Sequence, residues 1–306
     1  MAASEFTLIY RYFSALGSGE AVDLSVGDDC AILRLQKDER LATSVDTVVE
    51  GVHFPEDMFP EDIGYRAVSV AVSDLAAMGA RPLGMTIALT LPKADEFWLN
   101  AFSQGVAQAV SKYGLPLIGG DTTRGALTIT VQVLGALPLE RALLRSGARP
   151  GDALFVSGTL GDAAGALAFL NGQWQPAPVY AEFLLQRFNR PDARVALGQE
   201  ILGVATSAID ISDGLLADAG HIAAASGVQL RIEPEALPLS PALSSCLDNN
   251  SRLRWALSGG DDYELCFTLP ADCAAPDGCT RIGDVTEGEG VYTGLDLDFE
   301  AGYQHF

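Results

Sequence analysis

Apolar positions along this chain repeat with two periods, and the switches between them mark out elements. Leu83, Met85, Ile87, Leu89 and Leu91 alternate with small or hydroxyl residues, which predicts a half-buried strand. Leu127, Ile129, Val131 and Val133 predict a second one. Between them Leu99, Phe102, Val106, Ala109 and Tyr113 form a helical stripe, opened by Asp95 as a cap and closed at Gly114. Upstream, Phe6, Ile9, Tyr10 and Phe13 follow helical spacing after a capping Ser4. Residues 41–46 read as a strand, and Pro60 opens a helix to residue 79 with Ile63, Ala67, Val70 and Ala71 on one face.

The pattern breaks across residues 138–150, where Arg141, Arg145, Ser146-Gly147, Arg149 and Pro150-Gly151 cluster. A boundary here divides the chain into a first domain (1–137), a linker (138–150) and a second domain (151–306). The second half predicts a strand at 153–156, helices near 161–170, 179–188 and 192–203, a strand at Ile209, a helix from Gly214, and strands at 228–232 and 264–269. Strands and helices alternate in both halves. The fold class is therefore α/β (α+β layers), each domain a mixed sheet packed with helices.

Composition narrows the chemistry. Of 306 residues 48% are apolar, enough for sizeable cores, and the net charge is −21. That charge opposes direct binding to nucleic acid or an anionic membrane, so a polyanionic substrate has to arrive with metal. The only lysines are Lys37, Lys93 and Lys112, and none follows a glycine-rich phosphate loop. Five cysteines (Cys30, Cys246, Cys266, Cys273, Cys279) include no CxxC pair, which fits a reducing cytoplasm better than a disulfide scaffold. Three histidines (His53, His221, His305) leave little for a His/Cys zinc site. Residues 1–9 lack a signal-peptide core, and no apolar run approaches the ~18 residues of a membrane span.

Six apolar segments end in acids flanked by small residues: Val26-Gly27-Asp28-Asp29, Thr43-Ser44-Val45-Asp46, Val72-Ser73-Asp74, Ile118-Gly119-Gly120-Asp121, Ile209-Asp210-Ile211-Ser212-Asp213 and Ser258-Gly259-Gly260-Asp261-Asp262. Strands that stop at such acids put hard oxygen ligands at a sheet edge. Converging carboxylates repel one another unless cations lie between them. The expectation is one shared site, rich in Mg²⁺, that handles phosphate.

These segments together resemble the thiamine-monophosphate kinase family, within the aminoimidazole-ribonucleotide synthetase-like superfamily. The likeness is carried by Glu5-Phe6-Thr7-Leu8-Ile9, Gly27-Asp28-Asp29-Cys30-Ala31, Asp46-Thr47 with His53-Phe54, and Ser73-Asp74-Leu75-Ala76-Ala77-Met78-Gly79-Ala80. It continues through Gly119-Gly120-Asp121-Thr122-Thr123, Arg145-Ser146-Gly147-Ala148, Asp210-Ile211-Ser212-Asp213-Gly214-Leu215, Trp255 to Leu265, and the terminal Gly302-Tyr303-Gln304-His305-Phe306. The resemblance implies ATP-dependent phosphorylation of thiamine monophosphate to thiamine diphosphate with several Mg²⁺ ions. It also implies two α/β domains, the first carrying ATP, Mg²⁺ and the homodimer contact, the second completing the active site. By motif, Asp29, Ser44, Asp46, Asp74, Asp121, Asp210 and Asp213 stand as metal ligands. Tyr113, Gly120, Asp121, Arg145 and Ser212 stand as nucleotide contacts, and His53, Asp261 and Tyr303 as substrate contacts.

Three positions depart from relatives. Val45 replaces a frequent Thr, so a metal there must use the main-chain oxygen. Asp261 replaces a Glu, one methylene longer. The spacing of Phe299-Glu300-Ala301-Gly302-Tyr303 leaves Phe299 as an alternative stacking aromatic.

A phosphate acceptor needs no general base, because its second pKa near ~6 leaves it largely dianionic at pH 7. Arg145, a guanidinium suited to phosphate, is the candidate for stabilising charge on the transferring group. Two rivals stay open: an enzyme of the same fold such as aminoimidazole-ribonucleotide synthetase, and a non-catalytic Mg²⁺-nucleotide-binding module.

Overall fold

The computed structural model describes residues 5–245, 248–296 and 299–304. The expected Ser4 cap, the Phe6 side chain, Cys246 and the terminal His305-Phe306 lie outside the described residues. The chain forms two compact units, Met1–Leu75 with Ala80–Arg141, and Ala76–Gly79 with Ala142–Phe306.

The first unit runs α1 (Glu5–Tyr12), β1 (Val22–Leu24), β2 (Ile32–Leu33), β3 (Glu39–Val49), α2 (Pro60–Met78), β4 (Arg81–Leu91), α3 (Glu96–Tyr113), β5 (Leu117–Arg124) and β6 (Thr128–Pro138). Its main sheet has the order β3-β6-β4-β5, antiparallel except for the β4·β5 pair. The alternation read in β4 holds: Leu83, Met85, Ile87, Leu89 and Leu91 are all buried. So does the α3 stripe, with Asp95 accepting from the N–H groups of Phe97 and Trp98 and Gly114 closing the helix in the left-handed region. Helices α2 and α3 approach so closely that a Cβ on Gly105 would come within 1.8 Å of the Glu61 carbonyl oxygen. The other sheet face stays open. It carries Thr43, Val45 and Thr47 beside Thr130 and Gln132, with Thr47 and Thr130 hydroxyls 2.9 Å apart.

The second unit runs β7 (Ala153–Ser157), α4 (Asp162–Leu170), α5 (Pro178–Asn189), α6 (Val195–Ile201), β8 (Ser207–Asp210), α7 (Leu215–Ser226), β9 (Gln229–Ile232), α8 (Pro241–Ser244), α9 (Asn249–Ser258), β10 (Leu265–Leu269), β11 (Cys279–Thr286) and β12 (Gly290–Tyr292). Its sheet order is β12-β9-β11-β7-β10-β8. Leu154 and Val156 of β7 pack with α7 in one cluster, whereas Ala153 and Phe155 pack in another. Both sheet faces are therefore covered, which is why β7 and β10 are continuously buried and mostly apolar rather than alternating. The fold is a mixed α/β one, each unit a sheet packed with helices.

Candidate active site

On β3, the period of two puts Ser44 and Asp46 on the inner face with Val48, while Val45 points the opposite way and is 59% exposed. Asp74 comes from α2, and the Ser44 hydroxyl donates a hydrogen bond to its Oδ2. Burial raises the Asp46 carboxyl to about 6, and the charge of Asp74 adds to the effect. Two crowded carboxylates and a hydroxyl are the donor set suited to magnesium, which takes one or two protein carboxylates and completes its shell with water and phosphate. Among the described residues, no three His, Cys, Asp or Glu side chains converge into a fuller cage. His53 lies in the turn after β3, where the Val49 N–H donates to its Nδ1 at 3.1 Å.

A cavity of about 880 Å³ in the same unit gathers Asp29, Gly120 and Asp121, with Tyr10 and Phe13 on its wall. Gly120 has φ +154°, and a Cβ there would lie 2.0 Å from the Ile87 carbonyl oxygen. Only glycine lets β5 run this close to β4. Tyr113 is not among the residues lining this cavity; it is buried at the end of α3, its hydroxyl 3.0 Å from Ser69 Oγ.

In the second unit, Asp210 ends β8 and is buried. The following loop ties together the remaining predicted residues. The Asp261 N–H donates to the Ser212 carbonyl at 2.8 Å, and the Tyr303 N–H donates to the Asp213 carbonyl at 3.0 Å. Asp261 and Tyr263 both have positive φ (69° and 51°), and the Tyr263 hydroxyl donates to Asp261 Oδ1 at 3.0 Å. Non-glycine residues in this region store strain, which marks a loop held in shape by its surroundings. Phe299 is partly buried against the core, with the Arg254 guanidinium 5.8 Å from its ring, whereas Tyr303 is 50% exposed. Arg145 is exposed, and its carbonyl accepts from Ser226 Oγ.

Comparison with known proteins fits this geometry. Residues 27–137 match the model of the AIR synthase related protein, N-terminal domain. The chain is 50% identical to the thiamine-monophosphate kinase of Escherichia coli K12 over 272 residues, covering 88% of this chain and 84% of the relative. The chain belongs to the thiamine-monophosphate kinase family. Its structure resembles that of the Stenotrophomonas maltophilia thiamine-monophosphate kinase, with a TM-score of 0.85, 43% identity, and 92% and 93% of the two chains covered. It also resembles AaThiL complexed with AMPPCP and TMP, with a TM-score of 0.82, 38% identity and 89% of each chain covered.

This member of the thiamine-monophosphate kinase family also holds buried polar groups to which the motifs assign no role. In Asp261-Asp262-Tyr263-Glu264 alternate residues turn inward. Buried Glu264 accepts from Arg194 Nε at 2.6 Å and Nη2 at 2.5 Å, from Arg187 Nη2 at 2.9 Å, and from Ser157 Oγ at 2.5 Å. Asp262 accepts from the Gly161 N–H at 2.7 Å, while its buried Oδ1 has no hydrogen-bond partner among the described residues. Asp162 accepts from Thr159 and Ser240, each at 2.5 Å. Burial pushes both the Asp162 and the Asp262 carboxyl above the usual range. Asp218, in the first turn of α7, accepts three N–H bonds from the Ser212–Gly214 loop. An acid four residues after Gly214 was the one available sign of it.

Proposed function

We propose that the chain transfers the γ-phosphoryl group of ATP directly to the phosphate of thiamine monophosphate, giving thiamine diphosphate and ADP. The supporting observation is the 38% identical AaThiL, whose fold matches over 89% of each chain and which was complexed with AMPPCP, an ATP analogue, and TMP. The acceptor phosphate is already largely dianionic at pH 7, with its second pKa near ~6, so no side chain has to remove a proton. The obstacle is repulsion between two anions. Bound magnesium supplies positive charge on both phosphates and favours in-line displacement. Asp29, Ser44, Asp46, Asp74, Asp121, Asp210 and Asp213, with the main-chain oxygen of Val45, are the ligands in this reading. Tyr113, Gly120, Asp121, Arg145 and Ser212 contact the nucleotide. Arg145 stabilises charge on the transferring group. His53, Asp261 and Tyr303 hold the thiamine moiety, with Phe299 as the alternative stacking ring.

The first domain carries ATP and magnesium. It also pairs with a second copy through the open sheet face, where Val45 and Leu41 are exposed. A reducing cytoplasm suits Cys30, Cys266, Cys273 and Cys279, all free thiols.

The test is an incubation of purified protein with ATP, Mg²⁺ and either thiamine monophosphate or thiamine. Thiamine diphosphate from the monophosphate alone is the expected result. Nucleotide binding without product would favour a binding module.

A further inference from the structure

We propose that Asp218 is a positioning residue: its carboxylate fixes the Ile211–Gly214 loop, against which Ser212, Asp213, Asp261 and Tyr303 are all registered. This rests on the phosphoryl-transfer reading above. One oxygen, Asp218 Oδ2, accepts from three successive backbone N–H groups: Ser212 at 3.1 Å, Asp213 at 3.1 Å and Gly214 at 3.0 Å. With those donors committed to one side, the loop's carbonyl oxygens serve the other. Ile211 accepts from the Tyr263 N–H at 2.8 Å, Ser212 from Asp261 at 2.8 Å, and Asp213 from Tyr303 at 3.0 Å. The loop is thus bonded inward to one buried acid and outward to the two segments bearing Asp261 and Tyr303.

Asp218 is 2% exposed, so it acts through the loop and not by touching substrate. Its place follows from the helix start. Gly214 is the N-cap of α7, and Asp218 in the first turn reaches back over it to the N–H groups of Ser212, Asp213 and Gly214 just before the helix. The surroundings leave little slack. A Cβ on Gly214 would sit 2.8 Å from the Ser258 carbonyl oxygen, and one on Gly260 would sit 2.5 Å from that of Ser212. Three backbone donors converge on this one oxygen, and Asp218 itself is shielded from water.

Asp218→Ala and Asp218→Asn test the role, with wild type assayed beside them for thiamine diphosphate formation. Asp218→Ala is expected to lower kcat roughly 100-fold and to raise the Mg²⁺ concentration giving half-maximal rate. A merely structural role would reduce only the amount of folded enzyme and leave both the Mg²⁺ midpoint and KM in place. Asp218→Asn keeps an acceptor oxygen at the same point and is expected to recover at least ~10-fold of the loss. Amide hydrogen exchange on wild type reads the clamp without any variant, and the Ser212–Gly214 N–H groups should be protected. Folded Asp218→Ala with wild-type kcat and Mg²⁺ midpoint overturns the proposal, as does unprotected exchange at those three amides. A wild-type protein that forms no thiamine diphosphate removes the reaction and the role with it, while protected amides in that sample show that the clamp itself stands.

Discussion

Asp46 on β3 and Asp74 on α2 are placed so that burial takes the Asp46 carboxyl to about 6 and the Asp74 charge adds to the rise. Such a pair is costly in the empty protein and useful once a cation is present. Asp46→Asn removes the repulsion. It is expected to leave the thermal midpoint unchanged or higher without Mg²⁺, while turnover falls by at least ~100-fold. Calorimetry and a rate measurement at limiting Mg²⁺ check both halves; wild-type turnover would remove Asp46 from the ligand set.

Glu264 is the shared acceptor for two arginines that are themselves mostly buried, with side chains 15% and 28% exposed for Arg187 and Arg194. Removing the acid takes the main counter-charge from both, leaving Arg187 with the more distant Asp162 at 3.5 Å and Arg194 with Asp192 at 3.4 Å. Glu264→Ala is expected to cost about 3–5 kcal/mol of stability. Denaturant unfolding monitored by Trp174 and Trp255, whose rings are 5.1 Å apart in the same unit, measures it. A loss below ~1 kcal/mol contradicts the pairing as drawn.

Asp262 carries a pH signature. It faces Arg187, Asp162, Glu264 and the Gly161 N–H, and burial holds its carboxyl well above the ordinary value. The folded protein therefore keeps a proton that the unfolded chain releases near pH ~4. Stability contributed by this group falls as pH rises from that point through the elevated folded value. Asp262→Asn, neutral at every pH, is expected to flatten the decline. Thermal midpoints of both proteins between pH 5 and pH 8, at constant ionic strength, show it; parallel curves would contradict it.

Gly105 is held by geometry alone, since any Cβ would meet the Glu61 carbonyl oxygen. Gly105→Ala forces α2 and α3 apart and is expected to destabilise the first unit by about 1–3 kcal/mol despite the better helix propensity of alanine. Thermal unfolding of the variant decides the sign.

What could be read in the sequence was what the chain encodes locally. Asp95, the α3 stripe and Gly114 lie within one helix, and each does what its spacing predicts. The β4 alternation is equally local. Strand β11 escaped notice because Arg281, Gly283 and Asp284 interrupt its pattern and a register shift follows Arg281. Its strand character comes from β7 and β9 on either side, and a Cβ on Gly283 would lie 1.8 Å from the Arg231 carbonyl oxygen. The helix expected over 192–203 shrinks to Val195–Ile201, where Arg194 serves as N-cap while its guanidinium reaches Glu264. Among the acidic segments, the sequence singled out the acids but not which of them are buried. Asp261 stays partly exposed, whereas Asp262 and Glu264 turn inward to partners about a hundred residues upstream, Gly161 and Ser157. Contacts over that separation leave no periodic trace.

The central claim is direct transfer from ATP to thiamine monophosphate, and phosphorus NMR of the reaction with Mg²⁺ tests it most directly. The predicted result is the γ-phosphate resonance of ATP replaced by the two coupled resonances of thiamine diphosphate, with ADP formed in equal amount and neither product seen when thiamine monophosphate is omitted. ADP and free phosphate with no thiamine diphosphate, or ATP left unchanged beside thiamine monophosphate, would contradict it.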